Sequence, residues 1–285
     1  MKYNTLNYLI EELTKKSIPF DEFLERIEKC TDTFFLDPYL EFELLISNGL
    51  PLEIENEQVS LSTLTNKIED QVFCIVDIET NGSNVKKGYQ IIELGAVKVQ
   101  NGKVIDQFDT LVYAKDIPPY IQDVTNIRPS MLKNAPFIKN VLQDFKIFLE
   151  DTVFIAHDIK FDFNFISDSF EKYDLGKLQN RKLCSIDLAK RTIDAQKYGL
   201  KFLKEELDIK VKHHHRAYYD ALTTYYIFIE SLSKLDVNIK TTEDLIAFSK
   251  QGKIINPPPK RDHNKRDYKK EKKEKREEKT QDENK

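Results

Sequence analysis

Three β-forming runs in close succession, over residues 72–79, 90–99 and 104–112, constrain this chain most, because Asn101-Gly102 joins the last two. That dipeptide suits a two-residue hairpin loop, so the runs read as an antiparallel meander. Beyond them, helical periodicity over 138–149, 162–173, 186–196 and 217–232 alternates with short apolar strands near 153–156 and 182–184. Strands that are first adjacent and then separated by helices predict an α/β domain, a mixed sheet with flanking helices.

The first run ends in acid. Side chains at i and i+2 of a strand share a face, so Asp77 and Glu79 stand side by side while Ile78 points into the opposite layer. Such a pair repels itself unless a cation lies between. A third carboxylate, Asp162, opens the helix after the 153–156 strand, and a fourth, Asp220, lies in the 217–232 helix, five residues after His215. Taken singly, the strand pair fits a solvated strand end, Asp162 a helix-start acid favoured by the dipole, and Asp220 an ordinary polar helix position. The ordered set has instead the composition of a two-metal phosphodiester-cleaving site. Hard divalent ions such as Mg²⁺ or Mn²⁺ prefer carboxylate oxygens, and two of them clamp the attacking and leaving oxygens of an in-line displacement. Imidazole titrates near 6.5, so His215 can take a proton from attacking water at neutral pH. With carboxylates expected nearer 4, acid should silence His215 before the acids release their ions. Spacing to Asp220 selects His215 from the run 213–215, leaving His213 and His214 as loop residues.

Asp77-Ile78-Glu79-Thr80, Ala156-His157 with Phe161-Asp162, and His215-Arg216-Ala217 with Asp220-Ala221 resemble the three exonuclease motifs of the DEDDh family. The likeness is strongest to the proofreading epsilon subunits of bacterial DNA polymerase III. Supporting stretches are Ile91-Ile92-Glu93-Leu94-Gly95-Ala96-Val97, Val124-Thr125-Asn126-Ile127 and Ala135-Pro136-Phe137, and the similarity covers roughly residues 71–233. Two positions depart from it: Asp158 stands where the family usually has Asn, and Asn126 where it usually has Gly. The resemblance implies a ribonuclease H-like fold in which Asp77, Glu79 and Asp220 hold one ion. Asp77 would also touch a second, with Asp162 beside it. It implies His215 as general base, and Thr80, Thr125, His157 and Phe161 bordering the terminal nucleotide. The implied reaction releases nucleoside 5′-monophosphates from a single-stranded DNA 3′ end, with a replicative polymerase as partner. A stand-alone nuclease trimming RNA, similar to ribonuclease T, is the alternative enzyme. A non-catalytic replication adaptor is the alternative from another class.

Residues 1–70 read as a small winged-helix-like module. Leu6, Leu9, Ile10 and Leu13, then Phe20, Phe23, Leu24 and Ile27, follow helical spacing. Asp37 and Pro38 open a third helix that ends near Asn48-Gly49, and the alternation of Leu52, Ile54, Val59 and Leu61 around Asn56-Glu57 suggests a hairpin. Such a fold suggests DNA binding by analogy, but the segment carries a charge of −9, with Asp37, Glu41 and Glu43 on its third helix. A groove reader needs Arg or Lys there, so protein docking is the preferred reading. Residues 71–259 carry +1 and 260–285 carry +4, so bulk charge does not announce nucleic acid.

The exonuclease domain is expected over 71–235 and a short helical extension over 236–256, capped by Thr241 or Thr242 and ended by Gly252. Within it, Leu245-Ile246-Ala247-Phe248 is faintly similar to the peptides by which replication proteins dock on a sliding clamp. It lacks their usual glutamine, and an ordinary amphipathic helix is preferred. From Pro257 to the end, lysine and glutamate alternate with almost no apolar residue, a composition expected to be disordered. There is no apolar run of membrane-spanning length and no signal-peptide pattern, and Cys30, Cys74 and Cys184 read as reduced thiols. A cytoplasmic enzyme is expected.

Overall fold

The structure, a computed structural model, describes residues 5–212 and 215–256. His213, His214 and the expected disordered tail lie outside the described residues. The amino-terminal module runs α1 (Leu6–Leu13), β1 (Ile18–Pro19), α2 (Phe20–Glu28), α3 (Pro38–Ser47), β2 (Leu52–Glu55), β3 (Gln58–Leu61) and α4 (Ser62–Thr65). Its strands pair in the order β1-β3-β2, and the three expected helices and the hairpin are present. Local chemistry sets these elements. The Asp37 carboxylate accepts the Tyr39 and Leu40 N–H groups at the start of α3. Asn56 and Glu57 both take positive φ, as a tight hairpin turn requires.

The larger part contains β4 (Phe73–Thr80), β5 (Ile91–Gln100), β6 (Lys103–Leu111), α5 (Pro119–Thr125), α6 (Pro129–Leu132), α7 (Ile138–Leu149) and β7 (Val153–Ala156). It continues through α8 (Ile159–Lys172), β8 (Lys182–Cys184), α9 (Ser185–Thr192), α10 (Leu200–Glu206), α11 (Ala217–Ser233) and α12 (Thr242–Gln251). The five-stranded sheet has the order β6-β5-β4-β7-β8. β6, β5 and β4 pair antiparallel, while β7 and β8 join β4 in parallel. The meander and the crossover helices stand as the sequence predicts. The short helices α5, α6 and α10 carry too few apolar repeats to be legible in the sequence.

Helices cover both faces of this sheet, which explains why β4 is apolar at consecutive positions rather than alternate ones. Cys74, Val76 and Ile78 pack with Phe145 of α7 and with Phe163, Ile166 and Phe170 of α8. Phe73 and Ile75 pack on the other side with Val97, Val99 and Phe228 of α11. Parity then carries Asp77 and Glu79 onto the α11 side. Strand alternation alone therefore delivers both acids to the helix that bears Asp220.

α12 is a structural part of the fold. Leu245 and Ile246 are fully buried in the core beneath the sheet, which withdraws them from any role as an exposed clamp-docking peptide. The helix also stitches the two parts together. Glu243 pairs with Arg181 and accepts the Thr63 hydroxyl, and the Thr242 N–H reaches the Asn66 carbonyl. A second seam joins the Gln179 N–H to the Asn48 carbonyl. Glu41 is likewise buried, accepting the Phe34 and Phe35 N–H groups, so it ties a loop to α3 and is not a surface acid for docking. All three cysteines are free thiols, and among the described residues no helix is long and apolar enough to cross a membrane.

Candidate active site

Four separate segments converge at the carboxyl end of β4. The Asp162 carboxylate, buried in the first turn of α8, accepts the Ile78 N–H at 3.2 Å, which locks it against the strand between Asp77 and Glu79. Asp220 is buried in the first turn of α11 and accepts the His215 N–H at 3.1 Å. Ligand atoms of Glu79, His215 and Asp220 lie within 4.8 Å of one another. His215 is exposed and sits in the left-handed region at φ 56°, so its turn presents the imidazole beside the two carboxylates. All five groups singled out in the sequence are therefore neighbours, although up to 143 positions separate them in the chain.

Their charges are poorly compensated by the protein itself. Burial pushes the Asp77 carboxyl well above the usual range, and Asp162, Asp220, Glu79 and Glu93 push it further. Burial raises Glu79 to about 8, aided by Asp220, Glu93 and Asp162 and opposed by Arg216. Burial also raises Asp162 to about 7, against the help of the Ile78 N–H. This corrects the expectation that the acids titrate near 4. Taking several carboxylates out of water at short range disfavours their charged forms, and bound cations would reverse that balance. A nearly all-oxygen donor set with one imidazole fits hard divalent ions.

The residues expected around the terminal nucleotide differ in what they offer. Phe161 is 43% exposed and leans on Phe165 with ring centres 5.7 Å apart, so part of its side chain stays open to solvent one residue before Asp162. Thr80 and Thr125 are buried, their hydroxyls donating to the carbonyls of Gly82 and Ile121. His157 is engaged on both ring nitrogens, by the Ser185 hydroxyl at 2.8 Å and the Tyr198 carbonyl at 2.9 Å. Burial pulls its pKa down to about 4. The ring thus ties β7 to the start of α9 and the loop before α10, with no nitrogen left to face a ligand.

Both departures from the family pattern fall at left-handed backbone positions. Asn126 ends α5 at φ 58°, and Asp158 precedes α8 at φ 70°. Asn and Asp are the non-glycine residues that tolerate this region best, so each substitution preserves the turn that its segment needs. Asp158 adds a charge that slightly raises Asp162.

Two further residues, Gly95 and Glu93, shape the site. Gly95 lies directly across the ladder from Asp77, and Glu93 across from Glu79. A Cβ at Gly95 would collide with the backbone of Ala217 and Tyr218, so only glycine lets the start of α11 approach β5 closely enough to place Asp220. Glu93 is 1% exposed and binds both Arg216 and the Ala217 N–H. The signal was available: a glycine inside an apolar strand marks close approach of another backbone. Gly95→Ala should cost about 1–3 kcal/mol through overpacking. By shifting Asp220 about an ångström it should also lower turnover roughly 100-fold. Melting curves paired with initial rates would check this, and a rate within twofold of the unsubstituted protein would contradict it.

The chain and its fold have known counterparts. Residues 74–228 match the RNase_T family model, described as exonuclease. The chain is 34% identical over 196 residues to the PolC-type DNA polymerase III of Staphylococcus saprophyticus, covering 68% of this chain and 13% of that protein. It is equally 34% identical over 195 residues to the PolC-type enzyme of Staphylococcus aureus, covering 67% and 13%. The chain therefore spans about an eighth of the length of these curated relatives. E. coli exonuclease I, solved in complex with a dA16 oligonucleotide, superposes with a TM-score of 0.51 at 15% identity, over 58% of this chain and 41% of that one. At that identity the likeness concerns the fold alone.

Proposed function

The chain belongs to the RNase_T family of exonucleases, and from that premise we propose that this 3′–5′ exonuclease removes nucleoside 5′-monophosphates from single-stranded DNA ends, proofreading for a replicative polymerase in the cytoplasm. The observation that carries the chemistry is the convergence of Asp77, Glu79, Asp162, His215 and Asp220 on one end of β4. Similarity to PolC-type DNA polymerase III supports the replicative setting.

Family members of this kind use divalent metals, and Asp77, Glu79, Asp162 and Asp220 would hold two Mg²⁺ or Mn²⁺ ions. When bound, such ions polarise the scissile phosphate and stabilise charge on the attacking and leaving oxygens. The remaining work falls to the side chains of this protein. His215, exposed at the rim, accepts the proton of the attacking water. Phe161 offers its exposed side chain to the terminal base, a contact that tolerates every base because each has a π-face. Buried Thr80 and Thr125 shape the walls around that nucleotide, and His157 acts by fixing the loop at Tyr198. Proofreading follows from access: a mispaired terminus frays cheaply, and a site of this kind admits the frayed strand.

Residues 1–70 form, in this reading, a protein-docking module ahead of an exonuclease domain over 71–235 and its helical extension over 236–256. Their charge of −9 disfavours a nucleic-acid surface. Phe34 is 80% and Leu36 98% exposed, and Tyr39 and Leu40 are also open at the start of α3. Such side chains suit the apolar centre of a protein interface.

Oligonucleotides of one sequence, labelled inside the strand, test the reading. Single-stranded DNA and a mispaired primer terminus should be shortened faster than a fully paired terminus or RNA. A preference for RNA would replace it with the ribonuclease T-like reading, and failure to shorten any strand in Mg²⁺ or Mn²⁺ would leave only the adaptor.

A further inference from the structure

Glu93 presents a problem that the chemistry above does not solve. It stands directly opposite Glu79 in the antiparallel ladder, 1% exposed, in a site already overloaded with negative charge. Like charges in that arrangement repel, and Glu93 indeed raises both Asp77 and Glu79. A glutamine of the same shape could accept the Ala217 N–H equally well. Capping the start of α11 therefore does not explain why an acid is here.

A carboxylate can do one thing that an amide does poorly, which is to hold a guanidinium. Glu93 Oε1 lies 2.8 Å from Arg216 Nε and 2.7 Å from Nη2, while Oε2 accepts the Ala217 N–H at 3.0 Å. Arg216 is flanked in sequence by His215 and by the helix that bears Asp220, and its field already offsets part of the charge on Glu79. Released from Glu93, this cation would find acidic oxygens at Glu79 and Asp220, and arginine pairs with carboxylates through two parallel hydrogen bonds. A guanidinium so placed would stand where a divalent ion is needed.

We propose that Glu93 is a positioning residue that ties Arg216 back from the acidic cradle, so that the guanidinium does not compete with metal for Glu79 and Asp220. The inference rests on the exonuclease reading of that cradle, and it turns the Glu93–Arg216 pair from a structural bridge into a guard on metal loading.

Mn²⁺ binding by the full chain, followed by electron paramagnetic resonance, tests it without reference to turnover. Glu93→Gln should weaken Mn²⁺ binding about 10- to 100-fold, as loss of a partner behind the ligands does elsewhere. Adding Arg216→Gln to that variant should restore most of the loss, because the competing cation is gone. Arg216→Gln alone, which leaves the buried acid in place, should bind Mn²⁺ at least as tightly as the unsubstituted chain. A metal-free crystal structure of Glu93→Gln should show the guanidinium within hydrogen-bond reach of Glu79 or Asp220. That last readout separates competition from a simple change of net charge. Unchanged binding in Glu93→Gln, a double variant no better than the single, weaker binding in Arg216→Gln, or a guanidinium still seated at position 93 would each overturn the proposal. Failure of the unsubstituted chain to bind Mn²⁺ would instead overturn the exonuclease site itself, and the guard with it.

Discussion

Replacing Asp77 by asparagine is expected to slow nucleotide release roughly a thousandfold while making the metal-free protein more stable. The two effects have one cause. Asp77 is held at the centre of the cluster, where burial and then Asp162, Asp220, Glu79 and Glu93 all oppose its charge. Removing that charge relieves repulsion when metal is chelated, and each kcal/mol so gained raises the melting temperature by roughly 2–4 °C in a chain of this size. With metal and substrate present the same charge is indispensable. A bound divalent ion contributes several kcal/mol of transition-state stabilisation, so losing about 4 kcal/mol lowers turnover roughly a thousandfold. Initial rates on a labelled strand and melting in EDTA at pH 8 would measure both. Retained release would remove Asp77 from the chemistry, and a lower melting temperature would mean that the carboxylate stabilises the fold.

The second large effect is a reversal of pH dependence by metal. Glu79 titrates at about 8 and Asp162 at about 7 in the folded chain, against ordinary values of 4.5 and 3.8. A carboxyl whose folded pKa is raised stabilises the fold fully below its unfolded pKa, and that contribution is lost as pH rises through the folded value. In EDTA the protein should therefore lose stability between pH 6 and pH 8. Two pH units at about 1.4 kcal/mol each give on the order of 2–3 kcal/mol from Glu79, or roughly 5–10 °C. Bound Mg²⁺ or Mn²⁺ keeps the same groups ionised, so metal should stabilise most at the alkaline end and release protons as it binds. His157 opposes this slope only at the acid end of the window, below about pH 6.5. Its lowered pKa, about 4, makes it neutral in the fold, and its contribution is lost only as pH falls below about 6.5. Melting curves with EDTA and with Mn²⁺ would decide, and titration calorimetry in two buffers of different ionisation enthalpy would count the protons. A melting temperature in EDTA that climbs from pH 6 to 8 would refute the raised carboxylates.

Activity in acid has to be understood in the same terms. The sequence alone suggests that His215 is silenced first, because isolated carboxylates titrate near 4. The folded site places Glu79 and Asp162 in the neutral range, so proton competition for the metal ligands enters there as well. A pH–rate profile must therefore be taken at saturating metal before its limb can be assigned to the imidazole.

Much of the fold was legible because its signals are local. Asn101 and Gly102 both take the positive φ that their hairpin turn demands, and Asp37 caps α3 as its position before Pro38 announces. The period-two pattern of β4 places Asp77 and Glu79 on one face whatever packs above them. Other features could not be read this way. Glu41 looks like one more acid on an acidic helix until the loop bearing Phe34 and Phe35 folds back onto it. Leu245 and Ile246 read only as the apolar side of an amphipathic helix until α12 is seen to complete the core beside β8.

The sequence by itself determined the chemical inventory of the site and the faces from which it is presented, because residue type, strand parity and helix starts depend on near neighbours along the chain. Only the tertiary structure decided how those groups behave. Raised carboxylates, a histidine engaged on both nitrogens, a glycine pressed against a helix start and an acid that holds an arginine all arise from contacts across the fold. Field, burial and collision depend on distance in space, and no spacing along the chain encodes them.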